Sequence, residues 1–169
     1  MRLLLIVSLL LAVAPLSKAT PGALSSPDFA AGSLIPSRFT CQGENLPPTL
    51  VITGVPAAAQ SLVLILDEPD APSGTFTHWL VWNIPPGTKK LLAGALPSGA
   101  LEGVNDFGTR GYSGPCPPSG THRYFFRLNA LDTILRMAAG ASRQEINAVI
   151  RGHVLSTSTL MGRYAKSGF

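Results

Sequence analysis

The run Ser61-Leu62-Val63-Leu64-Ile65-Leu66 constrains this chain more than any other segment. Its apolar residues follow one another without a polar gap, and they include branched side chains. A strand of that kind must be covered on both faces. Leu50-Val51-Ile52-Thr53 is a second short run of the same type, and His78 to Ile84 is a third, ended by Pro85-Pro86-Gly87. Arg123 to Leu128 sets Tyr124, Phe126 and Leu128 against Arg123, Phe125 and Arg127, a mixed alternation that still reads as a strand. Val154 to Tyr164, rich in Thr and Ser, is predicted to return as a final strand. The 17 Gly and 15 Pro call for many turns and argue against a helical bundle. One helix is signalled: Ser142 and Glu145 form a capping box, Ile146, Val149 and Ile150 make an apolar stripe, and Gly152 stops it. Thr133 to Ala139 is predicted to form a shorter helical turn. The pattern is that of a mainly β fold, an antiparallel β-sandwich with a few peripheral helices, in one domain.

The first residues belong to a different kind of segment. Met1-Arg2 gives a basic start, and Leu3 to Leu16 is apolar except for Ser8 and Pro15. Ser17-Lys18-Ala19 puts small residues where a signal peptidase reads, so residues 1–19 are predicted to be a signal peptide cleaved after Ala19. The apolar stretch falls short of the roughly 20 residues a spanning helix needs. Residues 20–26 read as a flexible linker of small residues, with the folded domain over 27–169. An exported protein, periplasmic or secreted, is the expectation, with at most peripheral membrane contact. Arg2 and Lys18 lie in the signal and supply part of the formal +4 charge. What remains is too small and too scattered to imply a nucleic-acid partner.

Both cysteines, Cys41 and Cys116, lie in the exported part, where two thiols are a natural disulfide pair. Two independent buried thiols are the alternative. A zinc site fits less well, because no C-x-x-C spacing is present.

The candidate chemistry sits at the ends of the strands. His78 opens one strand directly after the acidic loop Asp67-Glu68-Pro69-Asp70-Ala71-Pro72. His122 opens another directly after Gly111-Tyr112-Ser113-Gly114-Pro115-Cys116-Pro117-Pro118. If those strand ends adjoin, two imidazoles share one pocket. Asp67, Glu68 and Asp70 cannot all be buried as anions without partners. Glu68 and Asp70 share a face if the strand persists through Pro69, and Asp70 has the alternative of capping its own loop. A carboxylate beside an imidazole would fix its tautomer and favour its charged form. His153 follows the helix stop and reads as a helix-end residue. Arg110 follows the turn Asn105-Asp106-Phe107-Gly108, either over the pocket mouth or simply solvated. Trp79 and Trp82 should face opposite sides of one strand, one in the core and one nearer the surface.

The two blocks, Leu64 to Pro85 and Asn105 to Leu128, together resemble the phosphatidylethanolamine-binding protein family, and more closely its bacterial and archaeal branch. The likeness runs from about Phe39 to Tyr164. It implies the same sandwich and a small surface cavity for phosphate-like anions and phospholipid head groups. Carried over position by position, the lining would be Glu68, Asp70, His78, Gly114, His122 and Tyr124. Imidazole N–H and phenol O–H are donors suited to phosphate oxygens, and the carboxylates would receive an ammonium, which favours phosphoethanolamine. Gly114 would let a ligand approach the backbone. The family usually has aspartate where Glu68 stands. Asn129 and Thr53 also depart from the usual tyrosine and tryptophan.

No nucleophile elbow, H-E-x-x-H, P-loop or dinucleotide fingerprint occurs. The leading expectation is therefore a non-catalytic binding protein for a small phosphorylated or anionic ligand, with no cofactor and no metal. A protein-directed role, such as inhibition of a protease, is the alternative that the resemblance implies. A weak hydrolase using His122 and a carboxylate is the third.

Overall fold

Residues 22–166 are described by a computed structural model. The predicted signal peptide lies outside the described residues. Strand β1 is Ala23–Ser25, β2 Leu50–Thr53, β3 Ser61–Glu68, β4 Phe76–Ile84, β5 Lys90–Leu91, β6 Leu101–Glu102, β7 Thr121–Leu131 and β8 Val154–Ala165. Helix α1 is Arg143–Ile150, and Ser37–Phe39 is a single 3-10 turn. The strands form two antiparallel sheets: a small one in the order β1-β2-β5 and a large one in the order β6-β4-β3-β7-β8.

β3 lies at the centre of the large sheet, and every one of its residues is buried. Its uninterrupted apolar run is explained by the two layers it serves. Leu62, Leu64 and Leu66 point toward the small sheet and join Trp79, Val81, Tyr124, Phe126 and Leu50. Val63 and Ile65 point the other way and join Leu80, Trp82, Ile146 and Ile150 beneath α1. Full burial of each such side chain is worth about 2 kcal/mol, so this strand anchors both layers. Trp79 and Trp82 do face opposite sides, but both are buried rather than one being near the surface.

The capping box forms as expected: the Ser142 hydroxyl accepts from the Glu145 N–H, and the Glu145 carboxylate accepts from the Ser142 N–H at 2.8 Å. Two local expectations differ. Ala23–Ser25, in the stretch whose small residues predict a linker, pairs with β2 through Leu24, which is buried in the core. Residues 133–139 form no helix, because the Asn83 side chain holds both the N–H and the C=O of Leu135 at 2.9 Å. A helical turn would need those same backbone groups. Among the described residues α1 is the one α-helix, so the peripheral helices are fewer than the sequence suggests. Among the described residues no helix is long and apolar enough to cross a membrane.

Cys41 and Cys116 form a disulfide, with Cα atoms 5.4 Å apart across a sequence separation of 75. It ties the loop after the 3-10 turn to the Pro-rich loop before β7. The link is reinforced by Cys41 N–H donating to the Pro115 carbonyl at 3.1 Å.

Candidate functional site

The site grows from an irregularity in the β3–β4 ladder. Leu66 pairs with Trp79, but the next residue, Asp67, pairs with Thr77. His78 is thus the extra residue of a bulge, a device that re-aims a side chain beside a functional site. Its consequence here is that His78 and Trp79, although consecutive, both serve the side of the sheet facing the small layer. Trp79 enters that core, and His78 reaches Glu68.

Glu68 ends β3 and is nearly buried. Its Oε2 lies 2.9 Å from His78 Nε2, and its Oε1 accepts a hydrogen bond from His122 Nδ1. One carboxylate therefore bridges the two imidazoles, one oxygen to each ring. His78 Nδ1 lies 2.8 Å from the Ser113 carbonyl, which can only accept. Each ring nitrogen of His78 thus faces an oxygen acceptor. Burial acts to raise the Glu68 carboxyl. The hydrogen bonds and charges of His78 and His122 outweigh it and hold the group below its ordinary 4.5. His122 has an exposed edge, its side chain 12% accessible, and its Nε2 makes no hydrogen bond among the described residues.

Tyr124 packs edge-on against His78, with ring centroids 5.3 Å apart. Its hydroxyl is buried and meets no hydrogen-bond partner of ordinary geometry. Burial and the neighbouring Glu68 charge push this phenol well above its usual range. The Glu68 carboxylate is itself an acceptor for this hydroxyl and keeps the proton on it.

The cavity in front of these groups has a volume of about 260 Å³. Glu68 and His78 form its polar wall, and Phe76, Phe107, Pro72 and Pro118 its apolar one. The Phe76, His78 and Phe107 rings stack edge to face, with centroids 4.7–5.4 Å apart. Cys116 also lines the cavity, so the disulfide is part of the wall.

Of the six residues expected in the lining, Glu68 and His78 line this cavity; His122 and Tyr124 stand behind them in contact with Glu68 and His78, and Asp70 and Gly114 do other work. Asp70 does not line this cavity, nor does it cap its own loop. Pro69 follows the end of β3, so the face shared with Glu68 is lost, and Asp70 instead grips the start of β7. It accepts from the Arg123 backbone N–H at 2.9 Å and from the guanidinium at 2.8 and 2.6 Å. Those hydrogen bonds hold the Asp70 carboxyl down to about 2. Gly114 packs inward, where a Cβ would collide with the Phe39 carbonyl, and its N–H donates to Asn45 Oδ1 at 2.8 Å. The glycine is required by that close approach rather than by an opening toward the cavity. Asp67 points to the opposite face of the sheet. There Arg127 and Arg143 bind it at 3.0 and 2.9 Å, and Thr77 donates to its other oxygen at 3.2 Å. Each of the three clustered carboxylates thus has its own partners: arginines for Asp67 and Asp70, imidazoles for Glu68. Arg110 is exposed, pairs with Val104 and does not line the cavity. His153 Nδ1 donates to the Asp132 carboxylate at 2.7 Å, away from the site.

Asn105 has a role that the sequence reading missed. It is buried, and its amide donates to the Gly111 carbonyl and the Ser113 hydroxyl, each at 3.0 Å. Its Oδ1 accepts from the backbone N–H groups of Phe107 and Thr109 at 3.0 and 3.2 Å. One side chain therefore folds the loop that holds Ser113 against His78. The Oδ1 bond to the residue two positions on is a local Asx turn, so that half was available from the sequence. Among the described residues no set of three His, Cys, Asp or Glu side chains is placed to hold a metal ion.

Comparison with known proteins gives a consistent result. The family model for phosphatidylethanolamine-binding protein matches residues 25–165. A UPF0098 protein of Methanothermobacter thermautotrophicus is 54% identical over 137 residues, covering 78% of this chain and 91% of that protein. A second, from Pyrococcus horikoshii, is 44% identical over 146 residues, covering 82% of this chain and 74% of that one. Among solved structures, a phosphatidylethanolamine-binding protein homologue from Chlamydia trachomatis superposes with a TM-score of 0.83 at 38% identity. It covers 87% of this chain and 99% of its own. YbcL of Escherichia coli, described as a member of the mammalian family, gives 0.82 at 28% identity over 88% of this chain and all of its own.

Proposed function

The chain belongs to the phosphatidylethanolamine-binding protein family, and from that premise we propose that it is an exported, non-catalytic binding protein for a small phosphorylated or otherwise anionic ligand. The ligand is held at the cavity walled by Glu68 and His78, with His122 on the other oxygen of the Glu68 carboxylate. One observation carries the reading: a single buried carboxylate bridges two imidazoles at the wall of an open cavity. The arrangement leaves His122 Nε2, on the exposed edge of its ring, without a hydrogen bond among the described residues, and this nitrogen donates when the imidazole is charged. An anionic oxygen satisfies such a donor. The phenylalanine and proline wall favours a ligand that carries an apolar or ester group beside its anionic one, so a phosphomonoester head group fits better than bare phosphate. Among the described residues no serine, threonine or cysteine side chain hydrogen-bonds either imidazole, which supports binding without a covalent step. Export agrees with the disulfide and with the predicted signal peptide.

Calorimetric titration with phosphoethanolamine and with inorganic phosphate tests the reading. The expected result is tighter binding of phosphoethanolamine, lost by roughly tenfold or more in His122→Ala, with unfolding free energy changed by less than about 1 kcal/mol. Equal affinity in the wild type and the variant would place the ligand elsewhere.

A further inference from the structure

A second cavity is lined in part by Gly111 and Tyr112, at the start of the loop whose Cys116 lines the first. It has a volume of about 250 Å³ and is lined by Trp79, Tyr112, Leu46, Leu92, Leu96 and Glu102, with glycine and small residues between them. Trp79 and Tyr112 meet edge to face, with centroids 5.6 Å apart. Their polar atoms are already satisfied inside the protein: the indole N–H donates to Glu102 Oε1 at 2.8 Å, and the Tyr112 hydroxyl donates to the Phe39 carbonyl at 2.6 Å. What they offer the cavity is therefore aromatic surface.

Glu102 is the charged member. It is half-buried on the edge strand β6, and the indole is its one side-chain hydrogen-bond donor among the described residues. Oε2 sits over Gly111, a residue held at φ +101, where even an added Cβ would stand only 3.4 Å from it. No lysine, arginine or histidine among the described residues forms an ion pair with this carboxylate, and Lys89 and Lys90, which lead into the Leu91–Leu96 turn, make none. The contrast with Asp67 and Asp70 is direct, because each of those has a guanidinium of the protein's own. A carboxylate set among aromatic and leucine side chains without a countercharge is costly unless a cation joins it. Aromatic rings add to that attraction.

We infer that this cavity is a second ligand site, for a small organic cation: an ammonium group against Glu102 Oε2, carried on an apolar body that lies among Trp79, Tyr112, Leu92 and Leu96. At the roughly 30 Å³ that a water molecule occupies, the space takes about eight non-hydrogen atoms, the size of a benzyl- or short alkyl-ammonium. The inference is independent of the anion reading for the first cavity. The two sites use different side chains and ligands of opposite charge.

The chain has two tryptophans, so an indole ¹⁵N–¹H spectrum carries its own control. Trp79 lines the cavity, while Trp82 is buried beneath α1 on the opposite face of the sheet. Titration of the full chain with benzylamine is expected to shift the Trp79 indole signal and leave that of Trp82 in place. The neutral isostere benzyl alcohol and the anion benzoate should bind at least tenfold more weakly. Glu102→Gln keeps an oxygen for the indole N–H and should weaken benzylamine roughly tenfold, the loss of one charge-assisted contact. His122→Ala should leave the benzylamine response intact. Benzyl alcohol binding as well as benzylamine, equal shifts of both indoles, no shift of the Trp79 signal, or an unchanged affinity in Glu102→Gln would each overturn the proposal. None of these results bears on phosphoethanolamine binding at the first cavity.

Discussion

Asp67 and Glu68 are consecutive, both almost fully buried, and sit on opposite faces of the same strand. On the helix side, Asp67 is held by two guanidinium groups and a threonine hydroxyl, each a permanent donor. Its two arginines shield it. On the other side, Glu68 is held by two imidazoles, whose charge is conditional, and it faces an open cavity. The same residue chemistry thus yields a structural clamp on one face and a site on the other. The difference lies in the partners: guanidinium groups end the matter, whereas imidazoles leave protons and lone pairs available.

The largest expected effect falls on the wall of the Glu68 side. Replacing both cysteines, Cys41→Ser with Cys116→Ser, removes the constraint on a 75-residue separation. Chain-entropy reasoning gives a loss of about 4 kcal/mol in unfolding free energy. Denaturant titration should also show the wild type falling to the same value on reduction, and a reduced protein of unchanged stability would remove the disulfide from the account.

Next comes the clamp. Asp67→Ala leaves Arg127 and Arg143 without their carboxylate. Breaking a buried pair costs about 3–5 kcal/mol, and because both arginines reach water the lower end applies. Phosphoethanolamine affinity should not change. A variant that lost affinity while keeping its stability would contradict the division between the faces.

The smallest effect is one of pH. Glu68 and Asp70 both have carboxyls held below their ordinary values, Glu68 below 4.5 and Asp70 from 3.8 to about 2. A depressed carboxylate contributes stability that is fully present above its unfolded value and is lost as pH falls through its folded one. Stability should therefore decline as pH drops below about 4.5 and continue to decline toward 2. Asp70→Asn should flatten the lower part of that decline and leave neutral stability nearly unaltered, since the Asp70–Arg123 pair is largely exposed. Thermal melts from pH 5 to pH 2 would show it, and an identical acid limb in the variant would remove Asp70 from the linkage.

Much of this division could be read from the sequence. The uninterrupted apolar run of β3 required two covering layers, and both are there. The strand-end histidines do meet at one carboxylate, and the Ser142–Glu145 box does start the helix. What escaped depends on longer-range geometry. The bulge that turns His78 onto the same face as Trp79 exists only in the pairing of β4 with β3. Asp70 was placed by strand alternation, which Pro69 interrupts, and its true partner lies 53 residues away. Gly114 was read for its freedom, whereas the Phe39 carbonyl behind it sets the requirement. β1 escaped because Ala23 and Ser25 carry no strand signal of their own, and only Leu24 packs inward.

The account's central claim is that His78, Glu68 and His122 respond to a ligand as one unit. Histidine ¹⁵N spectra recorded during a phosphoethanolamine titration test it most directly, because each ring reports separately. The account predicts that the His78 and His122 signals move together, with one midpoint, while His153 does not move. If His122 shifts alone, or if the two rings follow different midpoints, the bridging carboxylate does not join them into one site.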